Sequence, residues 1–196
     1  MEHHGASPAP GGLVAFAVAC YTFFGVFSGM VDGTGLFFLG CWLLGGFVIQ
    51  LVVACKELDH GVQIGGNVFL FLQGFFMLAG GISSIGKYLM LYVWETPYST
   101  VVEGFGWLAC TLALMGWTPA YLKTASKAFS TLILLTDLAL IGVVLNDFGV
   151  FPANLKIVVA ILLLIAGTLG LYCCTATQLQ AAFGREILPV GKPFLK

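Results

Sequence analysis

The stretch Ser7-Pro8-Ala9-Pro10-Gly11-Gly12-Leu13 runs directly into an apolar segment that ends near Val31. Ser7 is suited to cap a helix because its hydroxyl can accept a backbone N–H, and Pro8 then falls at the first helical position, where a missing N–H costs nothing. Pro10 lies in the same turn. Two of the four N–H groups that a helix start leaves unpaired are therefore absent, so this end can approach hydrocarbon, where each unpaired donor costs several kcal/mol. The stretch predicts a helix start that opens a membrane span.

The composition agrees. The chain has 196 residues, 59% of them hydrophobic and 9% charged, with a mean hydropathy of +1.00, whereas soluble domains carry about 25% charged residues. An all-α integral membrane protein is expected. No basic region precedes the first apolar run and no small-residue cleavage pattern follows it, so this span is expected to remain in the mature chain. At about 20 apolar residues per crossing, six transmembrane helices are expected in a compact bundle: residues 11–31, 36–55, 66–86, 104–121, 129–145 and 157–179. They form one domain over 1–196 with short tails at 1–7 and 181–196.

With the N-terminus in the cytoplasm, Lys56, Lys123, Lys127, Arg185, Lys192 and Lys196 lie inside and Lys87 and Lys156 outside. This distribution predicts a multi-pass protein of the plasma (inner) membrane with both termini cytoplasmic. The net charge of -1 and the lack of a basic cluster give no basis for a nucleic-acid partner. Tyr88 to Trp94 reads as an interfacial segment anchored by its rings. No internal repeat is evident, so an inverted-repeat transporter has no support.

Along the first span, Gly12, Ala15, Ala19, Thr22, Val26 and Gly29 make a small-residue face, with Gly25 and Gly29 as a second small pair, and Phe16, Cys20, Phe23 and Phe27 lie opposite. Such faces usually mean close helix packing on one side and bundle or lipid contact on the other. The six cysteines, Cys20, Cys41, Cys55, Cys110, Cys173 and Cys174, sit in or at the ends of apolar runs without ligand-type spacing and read as buried, inert thiols. Metal, cofactor and catalytic readings have no support: no intramembrane histidine, His/Glu metal spacing or Ser/His/Asp order is present.

Four polar side chains stand out. Gln50 and Glu57 share a helical face with Gly46, and a polar stripe on an apolar helix faces either an aqueous path or a hydrogen bond to another helix. Asn67, after Gly61, Gly65 and Gly66, is placed to cap the third span, and the positive ends of the first and third helices could draw a carboxylate inward. Asp137 is the acid in the middle of a span. Its charge would cost about 2.5 to 3.5 kcal/mol there, so it must be protonated, hydrated or paired, with Thr136 or Gln73 as partner, and it could serve in proton coupling.

The residues 7–13 resemble the N-P-A-P-x-G-L signature of the acetate uptake transporter family, which includes the bacterial succinate–acetate permeases and their fungal ammonia and acetate relatives. Pro8, Ala9, Pro10, Gly12 and Leu13 match it, and Ser7 replaces the family's Asn. The tail is similar to the family's F-G-R-x-x-L-P-x-G ending at Phe183, Gly184, Arg185, Leu188 and Pro189. Length, span count and the Gly46, Gln50, Glu57, Gly61 spacing also fit, so the resemblance covers nearly the whole chain.

The resemblance implies a six-helix bundle that assembles as a hexamer, with a pore in each protomer for acetate and related short monocarboxylates, and for succinate. It implies a constriction at Phe16 and Leu135, with Leu72 where the family has tyrosine; Gln50 and Asn67 would hold the carboxylate on either side. The competing readings are a six-span hexameric channel for small neutral amides such as urea, whose sequence signature is absent, a redox enzyme using Cys173 and Cys174, and a scaffold that transports nothing.

Overall fold

Backbone polar groups have no partners in hydrocarbon, so a chain this apolar must pair them within helices. The computed structural model describes residues 6–195; the start of the N-terminal tail, 1–5, and Lys196 lie outside the described residues. Within that range, 6 helical segments are long and apolar enough to cross a membrane. They are built from α1 (Ala9–Phe27), α2 (Gly35–Asp59), a composite third span, α5 (Val101–Thr124), α6 (Lys127–Asp147) and α7 (Lys156–Phe183). The third span joins α3 (Gln63–Phe71) through a π-helical segment (Leu72–Ala79) to α4 (Gly80–Tyr92). A short 3-10 turn, Ala153–Leu155, leads into α7.

Several boundaries differ from the sequence reading. Helix α1 begins one residue later than a Ser7 cap implies: Pro8 is the cap residue, and the Ser7 hydroxyl accepts from Ala9 N at 3.3 Å. Tyr88 to Tyr92 are not a separate interfacial segment but the last turns of α4, where Tyr88 packs against Phe37 and Tyr92. Asn67 is not a cap, because α3 starts at Gln63 and the Asn67 amide donates back to Gln63 O at 2.7 Å. Gly29 lies beyond α1 in a positive-φ turn at 77°, so it does not form a packing pair with Gly25.

The helices pack in a ring. Helix α1 lies between α7 and α2, α2 packs on the third span, α7 on α6, and α6 on α5. Between α5 and the third span the contact is sparse and confined mainly to α3, which leaves a seam. The small face of α1 explains the close packing. A Cβ on Gly12 would lie 2.6 Å from Phe69 Cε1, and one on Gly167 of α7 would lie 2.8 Å from Cys20 Cβ. Phe16 and Cys20 are therefore buried against α7 and do not face lipid. Of the cysteines, Cys20, Cys110 and Cys173 are buried, but Cys41 and Cys55 are exposed on the outside of α2, because its apolar stripe continues around the lipid-side face.

The glycines of α2 differ in what they meet. A Cβ at Gly40 would approach the Gly81 carbonyl to 2.6 Å, which is rigid backbone, whereas one at Gly46 would meet the flexible Met77 sulfur at 2.6 Å. Gly40→Ala is therefore expected to destabilise the fold by about 1–3 kcal/mol, and Gly46→Ala by less. Thermal unfolding of the detergent-solubilised protein should show the larger loss of Tm at Gly40; equal losses would contradict the α2–α4 geometry.

Candidate functional site

Three spaces lie along the seam between the third span and α5. On the side of the chain termini, Gln63, Ile64, Asn67, Gly116, Trp117 and Ala120 line an open cleft of about 390 Å³. In the middle is a cavity of about 20 Å³, lined by Phe16 of α1, Phe69 and Leu72 of the third span, Leu114 and Tyr121 of α5, and Leu132, Ile133 and Thr136 of α6. That is room for about one water molecule. Towards the opposite side, Phe75, Ser83, Glu103, Trp107 and Cys110 border a further space of about 110 Å³. The middle cavity, the waist, shares no lining residue with the two open spaces, and its lining is almost wholly apolar.

Each wall is shaped by local sequence. Phe16 is held at the cavity by packing on Gly170 of α7, where a Cβ would stand 3.3 Å from the ring. Leu72 is the first residue of the π-helical segment, whose wider turn breaks the regular helical register and turns successive side chains to new directions. Phe16 and Leu72 thus meet at the waist. Leu135 does not line it: it is half-buried and packed against the core, while its neighbours Leu132, Ile133 and Thr136 face the cavity.

One lining residue escaped the sequence reading. Tyr121 contributes its ring from α5, its hydroxyl directed at Ile64 O at 3.4 Å, and the Ser130 hydroxyl donates to Tyr121 O at 3.0 Å. The available signal was helical spacing, since Leu114, Thr118 and Tyr121 fall on one face of α5 and all are buried. The waist thus contains a tyrosine although position 72 is leucine.

The polar side chains have mixed placements. Gly46, Gln50 and Glu57 all face the bundle interior, but Gln50 does not face the seam: its amide donates to Gly12 O at 3.2 Å, and its Oε1 is buried without a partner. Glu57 is buried beside the first turn of α3, with Oε2 2.9 Å from where a Gly65 Cβ would be. Asn67 lines the open cleft. Asp137 is joined to neither Thr136 nor Gln73. Thr118 of α5 donates to Asp137 Oδ2 at 2.6 Å, Thr136 turns its hydroxyl back to Leu132 O, and Gln73 Oε1 is buried without a partner.

The terminal motifs acquire physical roles. Gly184 ends α7 in the left-handed conformation, φ 66°, which a residue with a Cβ adopts only with strain. The tail then folds back: Tyr172 donates to Pro189 O at 2.8 Å, Ala128 N to Val190 O at 3.0 Å, and Leu195 N to Leu122 O at 2.9 Å. Phe183 and Arg185 themselves remain exposed. The tail therefore braces the α5–α6 junction.

These features define a multi-pass, all-helical membrane protein with an apolar waist in a seam of its bundle. No family model matches the sequence, and no curated protein does. Among solved structures, its fold is that of the bacterial acetate channel SatP, with a TM-score of 0.75 and 19% sequence identity over 95% of this chain and 99% of that one.

The Thr118–Asp137 bond joins α5 to α6 beside the waist. Thr118→Val removes the partner of a buried carboxyl and is expected to cost about 1–3 kcal/mol, whereas Asp137→Asn can still accept through its amide oxygen and should cost less. Thermal unfolding of both variants checks this; a neutral Thr118→Val would contradict it.

Proposed function

We propose that this chain is a membrane channel for acetate and related short monocarboxylates, with succinate as a larger candidate substrate, and that it belongs to the acetate uptake transporter family. The observation that carries this reading is the apolar waist between two wider spaces, in a chain with the fold of an acetate channel and with both terminal signatures. An apolar constriction rejects strongly hydrated ions, because nothing replaces their water shell. Acetate has a methyl group that loses little on entering such a waist, and it can cross as the partly hydrated anion or as the neutral acid.

On the terminal side, Gln63 and Asn67 offer amide groups to the carboxylate before the waist. Phe16, Leu72 and Tyr121 set the width. Leu135 acts from behind the wall, and Asp137 is a structural cross-link in preference to a proton carrier. The charge distribution supports cytoplasmic termini in a plasma membrane, and a hexamer, each protomer with its own pathway, follows the family. Position 72 makes the waist more apolar than the family pattern, and Tyr121 supplies a hydroxyl from another helix.

Uptake of labelled acetate by proteoliposomes tests the reading, with labelled urea in parallel. Acetate flux above that of empty vesicles supports it; urea flux without acetate flux would transfer the protein to the neutral-amide class. Phe16→Ala should raise flux several-fold and weaken discrimination between acetate and larger acids. Leu135→Ala should do so less, because Leu135 does not face the cavity. Gly12→Ala, which would press on the Phe69 ring, should reduce flux.

A further inference from the structure

The space on the side opposite the termini is apolar except at one corner, where Ser83 and Glu103 meet. There the two oxygens of the Glu103 carboxylate are divided between two donors: the Ser83 hydroxyl donates to Oε1, and the Lys87 ammonium donates to Oε2. Ser83 and Lys87 are four residues apart on α4 and so lie on one helical face. Glu103 comes from the first turn of α5. One wall of the seam therefore carries two convergent donors, and the other wall supplies the carboxylate. Elsewhere α4 and α5 scarcely touch, so this contact closes the end of the seam.

One further acid lies near the pair. Asp147, buried at the end of α6 and accepting from Asn146 at 3.2 Å, lies within electrostatic reach of Lys87, Glu103 and Lys156. Within the corner itself, the Lys87 ammonium and the Glu103 carboxylate cancel one for one. If Glu103 turns outward, an external monovalent carboxylate restores the balance one for one. The Lys87 and Glu103 side chains are 22% and 29% exposed, so Glu103 has a route to solvent while the donors stay partly shielded. Its end group, a carboxylate on one methylene, is chemically acetate attached to the chain. The adjoining Phe75, Ala79 and Trp107 offer an apolar surface to the methyl group.

We propose that Ser83 and Lys87 form a carboxylate-binding site at this mouth, that Glu103 occupies it in the empty protein, and that an entering small carboxylate displaces Glu103. The proposal rests on the channel reading for its ligand class and names the mouth residues that select it. Glu103 then acts as a tethered competitor: it keeps Lys87 neutralised and sets how much acetate is needed to open the seam.

The test uses the full-length protein. Sodium [13C]acetate is titrated into nanodiscs followed by NMR, and flux is measured in proteoliposomes. Glu103→Gln should lower the half-saturating acetate concentration about tenfold in both assays. Lys87→Gln should raise it at least tenfold, and the double variant should lose the gain. Ser83→Ala should raise it about threefold, and it provides an independent arm if a charge variant fails to fold. An unchanged or weaker affinity in folded Glu103→Gln, or a gain that survives loss of Lys87, overturns the proposal. The two readings fail separately: wild type without acetate flux, but with acetate bound tightly by Glu103→Gln, removes the channel reading and keeps the site. Acetate flux with no response to Glu103, Lys87 or Ser83 removes the site and keeps the channel.

Discussion

The close approach of α1 to its two neighbours is the constraint on which the rest of the structure depends. With water absent, helices in a bilayer gain little from hiding apolar surface, and association relies on contact distance. Gly12 on α1 and Gly167 on α7 leave no room for a Cβ and Gly170 leaves little, so neighbouring side chains pack directly on bare backbone. That contact places Phe16 at the small apolar cavity and lets the Gln50 amide reach the Gly12 carbonyl. A larger residue at these glycines would shift α1 and move the Phe16 ring from the waist.

The seam is the complement of this packing. Helix α1 joins α7 and α2 tightly, α6 and the third span follow, and α5 is attached chiefly through α6. The third span meets α5 chiefly through α3, and the π-helical segment that follows carries Leu72 and the orphaned Gln73 Oε1. A π-helical stretch disturbs regular hydrogen bonding and persists where the surrounding structure or function retains it. Here it belongs to the wall of the waist. The ties across the seam are few and polar at its far end, with Ser83, Lys87 and Glu103 joining α4 to α5.

Much was legible from the residues. The prolines at 8 and 10 mark the first helix start, the apolar runs mark each span, and the Gly184 and Gly191 positions both take positive φ, consistent with a tail that must turn sharply. Phe16 and Leu72 could be singled out by alignment to a family pattern, and both line the small apolar cavity. Leu135 could not be told from Leu132 and Ile133, because neighbouring leucines of an apolar helix differ only in rotation about its axis. Tyr121 was hidden for a related reason: an aromatic residue at a span end reads as an interfacial anchor unless its helix face is known.

By itself, the sequence determined that the chain crosses the membrane six times in helices, where small residues permit close packing, and which polar groups must find partners in hydrocarbon. Those are properties of local composition and period, and they survive any arrangement of the spans. Only the tertiary structure decided which partners they find. Asp137 meets Thr118, across 19 residues, and Gln50 meets Gly12, across 38, because packing rotates each helix to one orientation. The same rotation put Glu57 against the start of α3 and Glu103 on Lys87. A helical period tells which residues share a face, but the face is aimed by its neighbours.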